Sequence, residues 1–306
     1  MSMTPDQILD RYKLKAQLSK WRICAFIVLA LLLWVLSLNK DMKSVKSHVY
    51  SAHIARITID GIILESHERD KILREIRKND SVKALIVHVD SPGGSVVGGE
   101  TLYHALRKIA ARKPVVIVMR ESATSAAYMA ALGGTYILAR EGTITGSVGV
   151  LTQSFELTDL AKKVGIELHM LKTSPYKAAP NQFEKLTPEI QTYIQEVLHD
   201  SQQMFLRMLK SSRKLSDADI AVIGEGKIYT GGQALKLGLI DGIGDEEDAV
   251  EWLVSNKKLS RNLEIREVPL YVTQPLEKLE KYLDSISNFL IFTKSASQML
   301  WSVSHR

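Results

Sequence analysis

The sequence predicts an α/β fold built on a mainly parallel sheet. Strands and helices alternate from about residue 50 onward. The strands are continuous apolar runs, as strands covered by helices on both faces must be. The helical stretches between them repeat apolar residues every three or four positions. Residues 54–59 read as the first strand and 71–78 as a helix. Residues 84–89 form a buried strand ending at Asp90-Ser91-Pro92-Gly93-Gly94, and a helix follows over 98–111 with Leu102, Ala105, Leu106 and Ile109 on one face. Pro114 introduces a strand over 115–119, a small-residue helix starts near Ser125, and 136–139 is a further short strand. Residues 188–210 make a long amphipathic helix. Leu276, Leu279, Leu283, Ile286 and Leu290 form one last stripe, assigned to a helix docked on its own domain or on a neighbouring subunit. No internal repeat is present, so the chain holds one copy of the unit.

The charge distribution separates the N-terminal segment from the body. Of a formal charge of +6, residues 1–50 carry +5, with eight Lys/Arg against Asp6, Asp10 and Asp41. The basic residues flank an apolar segment rather than lying on the folded body, which argues for membrane contact and against a nucleic-acid partner. That segment, 23–38, is uncharged over 16 residues and apolar except for Ser37. As a helix it spans about 24 Å, and Lys20, Arg22 and Lys40 can snorkel to make up the roughly 30 Å hydrocarbon core. No small-x-small cleavage site follows, so an uncleaved anchor is expected. Five basic residues precede the run and three follow it, which places the N-terminus in the cytoplasm and the body outside the membrane. The expected organisation is a cytoplasmic segment (1–22), a transmembrane anchor (23–38), a linker (39–52), a folded α/β domain (53–255) and a C-terminal helical extension (256–306). Cys24 is the only cysteine, so neither an intrachain disulfide nor a Cys-rich metal site is available.

Three segments could carry chemistry. Ser91-Pro92-Gly93-Gly94 follows a buried strand, and its glycines with the N-terminal amides of the next helix could present donors to a developing oxyanion. Alone, it is equally a tight strand-to-helix turn. Ala123-Thr124-Ser125-Ala126-Ala127-Tyr128 puts a serine at a helix N-terminus, where the dipole favours an alkoxide. Local chemistry alone makes a helix cap the commoner role for such a serine. A nucleophilic serine also needs a base. None of the eight histidines sits in a Gly- or Pro-rich loop: His88 falls in a strand, and His104 and His199 fall in helical stretches. Lysine remains. Lys177 lies in Thr173-Ser174-Pro175-Tyr176-Lys177-Ala178-Ala179-Pro180, a stretch with few charges. Burial in a dry site can bring a lysine from near 10.4 to about 7–8, where general-base work is possible. A single lysine is otherwise an ordinary solvated side chain.

In order along the chain, these segments resemble the bacterial signal peptide peptidase family that includes SppA (protease IV) and SohB. The motifs are Ser91–Gly94, then Ser125 followed by Ala127-Tyr128, then Thr145-Gly146-Ser147-Val148-Gly149, then Tyr176-Lys177. A tail of Lys227-Ile228-Tyr229-Thr230-Gly231, Ala234 and Leu237-Gly238-Leu239-Ile240-Asp241 completes them, so the resemblance runs from about residue 53 to 253. It implies a ClpP/crotonase-like fold and a serine endopeptidase in which Ser125 attacks, Lys177 is the base and Ser147 orients the lysine. It implies an oxyanion hole from Gly94 and Ala126, substrate contacts at Gly93 and Tyr128, and neither metal nor other cofactor. The family's serine and lysine come from adjacent subunits of a dome-like ring, an octamer for single-unit chains. The implied substrates are cleaved signal peptides or other short hydrophobic segments at the bacterial cytoplasmic membrane. The sequence departs from the family at Ala126-Ala127, where Gly-Gly is common; alanine keeps its N–H but adds methyl groups beside the nucleophile.

Three other readings are weighed. A ClpP-like Ser-His-Asp peptidase expects a histidine about two dozen residues after the serine, and positions 145–155 contain none; the nearest downstream is His169. An acyl-CoA enzyme of the crotonase type does not account for the anchor and the lysine. A catalytically weak or inactive membrane scaffold would keep the fold without the chemistry.

Overall fold

The computed structural model describes residues 51–270 together with Trp21, Phe26 and Leu29. Of the expected anchor only Phe26 and Leu29 are described, both in helical conformation, and the leucine stripe at 276–290 lies outside the described residues. Among the described residues, no helix is long and apolar enough to cross a membrane. The contacts divide the chain into two units, Met1–Ala52 and His53–Arg306.

The second unit alternates as expected. It runs β1 (His53–Ile63), α1 (His67–Lys78), β2 (Val82–Gly94), α2 (Val96–Ala110), β3 (Val115–Thr124), α3 (Ala126–Ala131), β4 (Tyr136–Ala139) and β5 (Ile144–Gly146). It continues with α4 (Thr158–Lys163), α5 (Pro188–Ser212), α6 (Asp217–Ile223), β6 (Ile228–Thr230), α7 (Gly231–Lys236), β7 (Gly242–Ile243), α8 (Glu246–Lys257) and β8 (Glu264–Glu267). The sheet order is β6-β5-β3-β2-β1-β8, with β4 between β3 and β7 off this path. Every pairing is parallel except β5 with β6.

Both sheet faces are apolar because successive strand residues point to opposite sides. Ala55, Ile57, Leu85, Val87, Val115 and Ile117 face one core, which α1, α2 and α5 close with Leu73, Leu106 and Phe205. Ile54, Ala84, Ile86, Val116 and Val118 face a second core, closed by Ala249 and Leu253 of α8. Local signals set the helix ends. Ser66 caps α1, Ser95 caps α2, and Thr187 caps α5 with Pro188 opening the helix.

Two differences from the expected elements position the site. First, Ser91–Gly94 is not a bare turn: β2 continues through it, with Ile62 beside Gly93 and Ile63 beside Gly94. Register shifts in both strands permit this, after Val89 in β2 and after Asp60 in β1. Second, β3 forks. Its first half pairs with β4, and Ser122–Thr124 turns to pair with β5. At the other edge, residues 264–267, expected in a helical extension, add β8 alongside β1. The helical assignment gives way there because Ile54–Arg56 leave an open strand edge for pairing.

Phe205 is fully buried and joins α5 to the sheet core. Phe205→Ala is expected to cost about 3–5 kcal/mol, measured by urea denaturation of the wild type and the variant.

Candidate active site

Ser125 stands between the end of β3 and the start of α3, with φ 54° and ψ −121°. A non-glycine residue there is strained by about 1–3 kcal/mol and persists only where its surroundings enforce it. Its side chain makes no capping hydrogen bond, so it is not the helix cap that local chemistry would favour. Two neighbours enforce the geometry. The Ser125 N–H donates to the Gly146 carbonyl at 2.9 Å. On the other side lies Gly93, with φ 113°, where an added Cβ would stand 2.9 Å from Ser125 Cβ and 3.0 Å from the Thr124 carbonyl oxygen. The Thr124 hydroxyl donates to the Pro92 carbonyl at 2.9 Å, and the Ser122 N–H to Asp90 Oδ1 at 3.2 Å. The end of β2 and the serine turn are thus fastened together.

Gly94 is as tightly held: a Cβ there would meet the Ile63 carbonyl oxygen at 1.9 Å. Ser147 follows Gly146 with φ 53°, and its N–H donates to the Lys227 carbonyl at 2.8 Å. One hydrogen bond, from Ser125 to Gly146, therefore couples the two serine-bearing backbones. The methyl group of Ala126 is accommodated by Gly99 of α2; a Cβ at Gly99 would lie 3.0 Å from it.

Ser125, Ser147, Gly94 and Ala126 line one cleft of about 730 Å³. Val96, Met129, Val150, Leu151 and Leu198 give it an apolar wall. Gly93 sits behind the serine and is not among the lining residues. Tyr128 is fully buried in the core, its hydroxyl donating to the Leu239 carbonyl at 2.9 Å. Burial pushes that hydroxyl's pKa well up. Its ring supports α3 from beneath, away from the cleft where a substrate contact was expected.

Lys177 is exposed and does not line the cleft. It lies on an arm, residues 150–187, that leaves the domain after β5 and returns at α5. The arm's apolar side chains have no core of their own: Leu171 is 99% exposed and Leu151 79%, with Phe155, Leu160, Val164 and Ile166 also exposed. Among the cleft residues that sequence reasoning did not assign to a site are polar side chains: Gln195, His199 and Gln202 on α5, and Glu225. Their one legible signal was polar residues at 195, 199 and 202 on a single face of an amphipathic helix.

A second cavity of about 790 Å³ lies on the other sheet face and contains His88, Arg120, Glu121, Arg140 and Glu246. It is the larger of the two but carries no serine, and two of its charged pairs are made internally. His88 Nε2 is 2.6 Å from Glu246 Oε2, and Arg140 is 3.2 Å from Asp245. Among the described residues, no cluster of three or more His, Cys, Asp or Glu is placed to share a metal ion.

A mixed α/β chain that forces an uncapped serine into a strained turn, beside glycines and in an open cleft, belongs to the class of serine hydrolases. Comparison with known proteins narrows the class. The model of peptidase family S49 matches residues 107–260. A Synechocystis sp. relative named "Putative protease slr0021" is 36% identical over 201 residues, covering 65% of this chain and 72% of that protein. Protease 4 of Haemophilus influenzae is 31% identical over 220 residues, covering 67% of this chain and 35% of that protein. A solved membrane-bound stomatin-specific protease in complex with a substrate peptide aligns at 20% identity and a TM-score of 0.45, covering 76% of this chain and 98% of that one. The chain belongs to peptidase family S49, the family of protease 4 and signal peptide peptidase SppA, and is a serine peptidase.

The strain at Ser125 gives a stability test. Ser125→Gly should raise stability by about 1 kcal/mol, the relieved strain exceeding glycine's entropic cost. Ser125→Ala, which keeps a Cβ at φ 54°, should leave it nearly unchanged. Thermal melts of the two variants check this.

Proposed function

We propose that this chain is a membrane-anchored serine endopeptidase that uses Ser125 as nucleophile and Lys177, from an adjacent protomer, as general base. The observation that carries the reading is the strained, uncapped Ser125 opening into the cleft beside Ser147. Neutral Lys177 takes the Ser125 hydroxyl proton as Oγ bonds to the peptide carbonyl carbon. The N–H groups of Gly94 and Ala126 hold the resulting oxyanion; Ala126 is the first residue of α3, so its N–H has no intrahelical acceptor. The lysine ammonium then protonates the departing amine, the C–N bond breaks, and an acyl-enzyme remains. Water attacks that ester, giving a proton to Lys177; the C–Oγ bond then breaks, the lysine returns that proton to Ser125 Oγ, and the acyl group leaves as a carboxylic acid. Ser147 orients the lysine.

Two features support a lysine delivered in trans. Lys177 lies outside its own chain's cleft, and the arm that carries it exposes apolar side chains suited to burial against another copy. A closed ring of eight protomers with a ClpP/crotonase-like core is the proposed assembly. The apolar wall of Val96, Met129 and Leu198 suits apolar side chains, in keeping with cleaved signal peptides or short hydrophobic segments as substrates. The segment 23–38 is proposed as the single-pass anchor, with the N-terminus cytoplasmic and the catalytic domain outside the bacterial inner membrane.

A second reading has one observation in its favour: His199 lines the same cleft as Ser125, within one chain. Fluorophosphonate labelling of detergent-solubilised protein separates the two. Wild type labels and Ser125→Ala does not; an unlabelled wild type would leave only a scaffold. Lys177→Ala should cut peptide hydrolysis about 100- to 10,000-fold, while His169→Ala retains it. A loss of that size in His199→Ala, with Lys177→Ala active, would pass the base role to the histidine.

A further inference from the structure

We propose that Lys172, Asn181 and Glu184 form a clasp that sets the position of Lys177, making them positioning residues for the general base. This rests on the reading of Lys177 as that base. A lysine delivered to another protomer's serine must arrive with its amine placed to within a fraction of an ångström, because small misplacements of a catalytic group are costly. The arm that carries it has little packing to supply such precision. α4, its only helix, buries no residue, and the side chains around Lys177 are exposed.

Polar contacts supply the rigidity instead. Lys172 Nζ lies 2.5 Å from Glu184 Oε2, closing the loop that contains Lys177. Asn181 Nδ2 donates to the same carboxylate oxygen at 2.7 Å and to the Ala178 carbonyl at 3.2 Å. The ion pair is therefore connected, through one amide, to the residue next to Lys177. Asn181 is itself oriented, since its Oδ1 accepts from the Phe183 N–H at 3.0 Å. Ala178 has φ 59°, a left-handed conformation that alanine rarely adopts without outside support. The Lys177 N–H donates to the Ser174 carbonyl and the Ala179 N–H to the Tyr176 carbonyl, each at 3.2 Å, so the lysine sits between two consecutive turns.

The clasped loop is also tied to the rest of the chain. The Leu157 N–H donates to the Gln182 carbonyl at 2.7 Å. The Tyr176 hydroxyl donates to Glu189 Oε1 at 2.5 Å, and its ring meets Tyr193 of α5 edge-on at 5.3 Å. The Lys172 side chain is 14% exposed, so the pair is shielded more than most surface pairs. Hydrogen bonds from Lys172 and then Asn181 hold the Glu184 carboxyl below the usual range. The arm thus presents Lys177 on a braced hairpin before any partner is met.

The test uses the full-length, detergent-solubilised assembly and compares Lys172→Met, Glu184→Gln, the double variant, Lys172→Arg and Lys177→Ala. The rate of Ser125 acylation by an activated ester, kcat and KM for a peptide substrate, assembly mass and Tm are measured for each. Each single clasp variant should lower kcat and the acylation rate about 10- to 100-fold, with KM within about twofold and assembly mass unchanged. The double variant should be no worse than the weaker single, because one unit has been broken twice, and Lys172→Arg should recover most of the rate. Glu251→Gln, which breaks the exposed pair with Arg261, should match wild type. Wild-type acylation in both single variants, beside an inactive Lys177→Ala, overturns the clasp and leaves the base in place. Loss of assembly, or a rise in KM at constant kcat, also overturns it, since the residues would then serve the interface or the substrate site. An active Lys177→Ala overturns the reading beneath it.

Discussion

The backbone at Ser125 is the constraint on which the rest of the structure depends. A φ of 54° at a residue with a side chain is unfavourable, and three separate segments meet to impose it. Gly146 holds the serine amide from β5, Gly93 presses against its Cβ from the end of β2, and α3 leads away from it. Gly93 has no alternative, because any Cβ there would collide with Ser125 itself. In this geometry the serine lines the cleft and makes no capping hydrogen bond to the helix it precedes, so it departs from the commonest role of a helix-starting serine.

The sheet exists in the form that makes this meeting possible. Had β2 ended at Val89, Pro92–Gly94 would be a loose loop. Its continuation alongside β1 fixes Gly93 and Gly94 at strand spacing from Ile62 and Ile63. Had β3 kept β4 as its neighbour throughout, β5 and Ser147 would not reach the serine. The fork brings them in. The two cores on either face hold these strand ends, and the second large cavity, with its His88–Glu246 and Arg140–Asp245 pairs, lies on the sheet face opposite the serine cleft.

The arm obeys a different physical logic. Where the domain is held by apolar burial, residues 150–187 expose their apolar side chains and are shaped by hydrogen bonds and one shielded ion pair. A segment of that kind keeps its own form while leaving its greasy surface available to another chain. The two proposed reactive groups thus differ in how they are held, a serine turn fixed by the core and a lysine hairpin fixed by polar contacts, and one chain does not bring them into one cleft.

Much of this was readable from residue order. The alternating elements, the apolar strands, the Ser-Pro-Gly-Gly segment and the serine before a small-residue helix each follow from local pattern, because helix and strand periodicity and turn chemistry act over a few residues. Other features depend on atoms far apart in sequence. Tyr128 lies three residues after Ser125 and so read as a substrate contact, yet its partner is the Leu239 carbonyl, and that contact keeps it in the core. His199 read as one more helical histidine until the placement of α5 against α3 brought it to the cleft. Likewise the reach of β2 past Val89, the fork in β3 and strand β8 arise from pairings between distant segments. Sequence by itself determined which residues could react, since chemical type and local backbone preference are properties of neighbours along the chain. Only the tertiary structure decided which of them meet, because strain, register and burial are enforced by contacts that no local stretch contains.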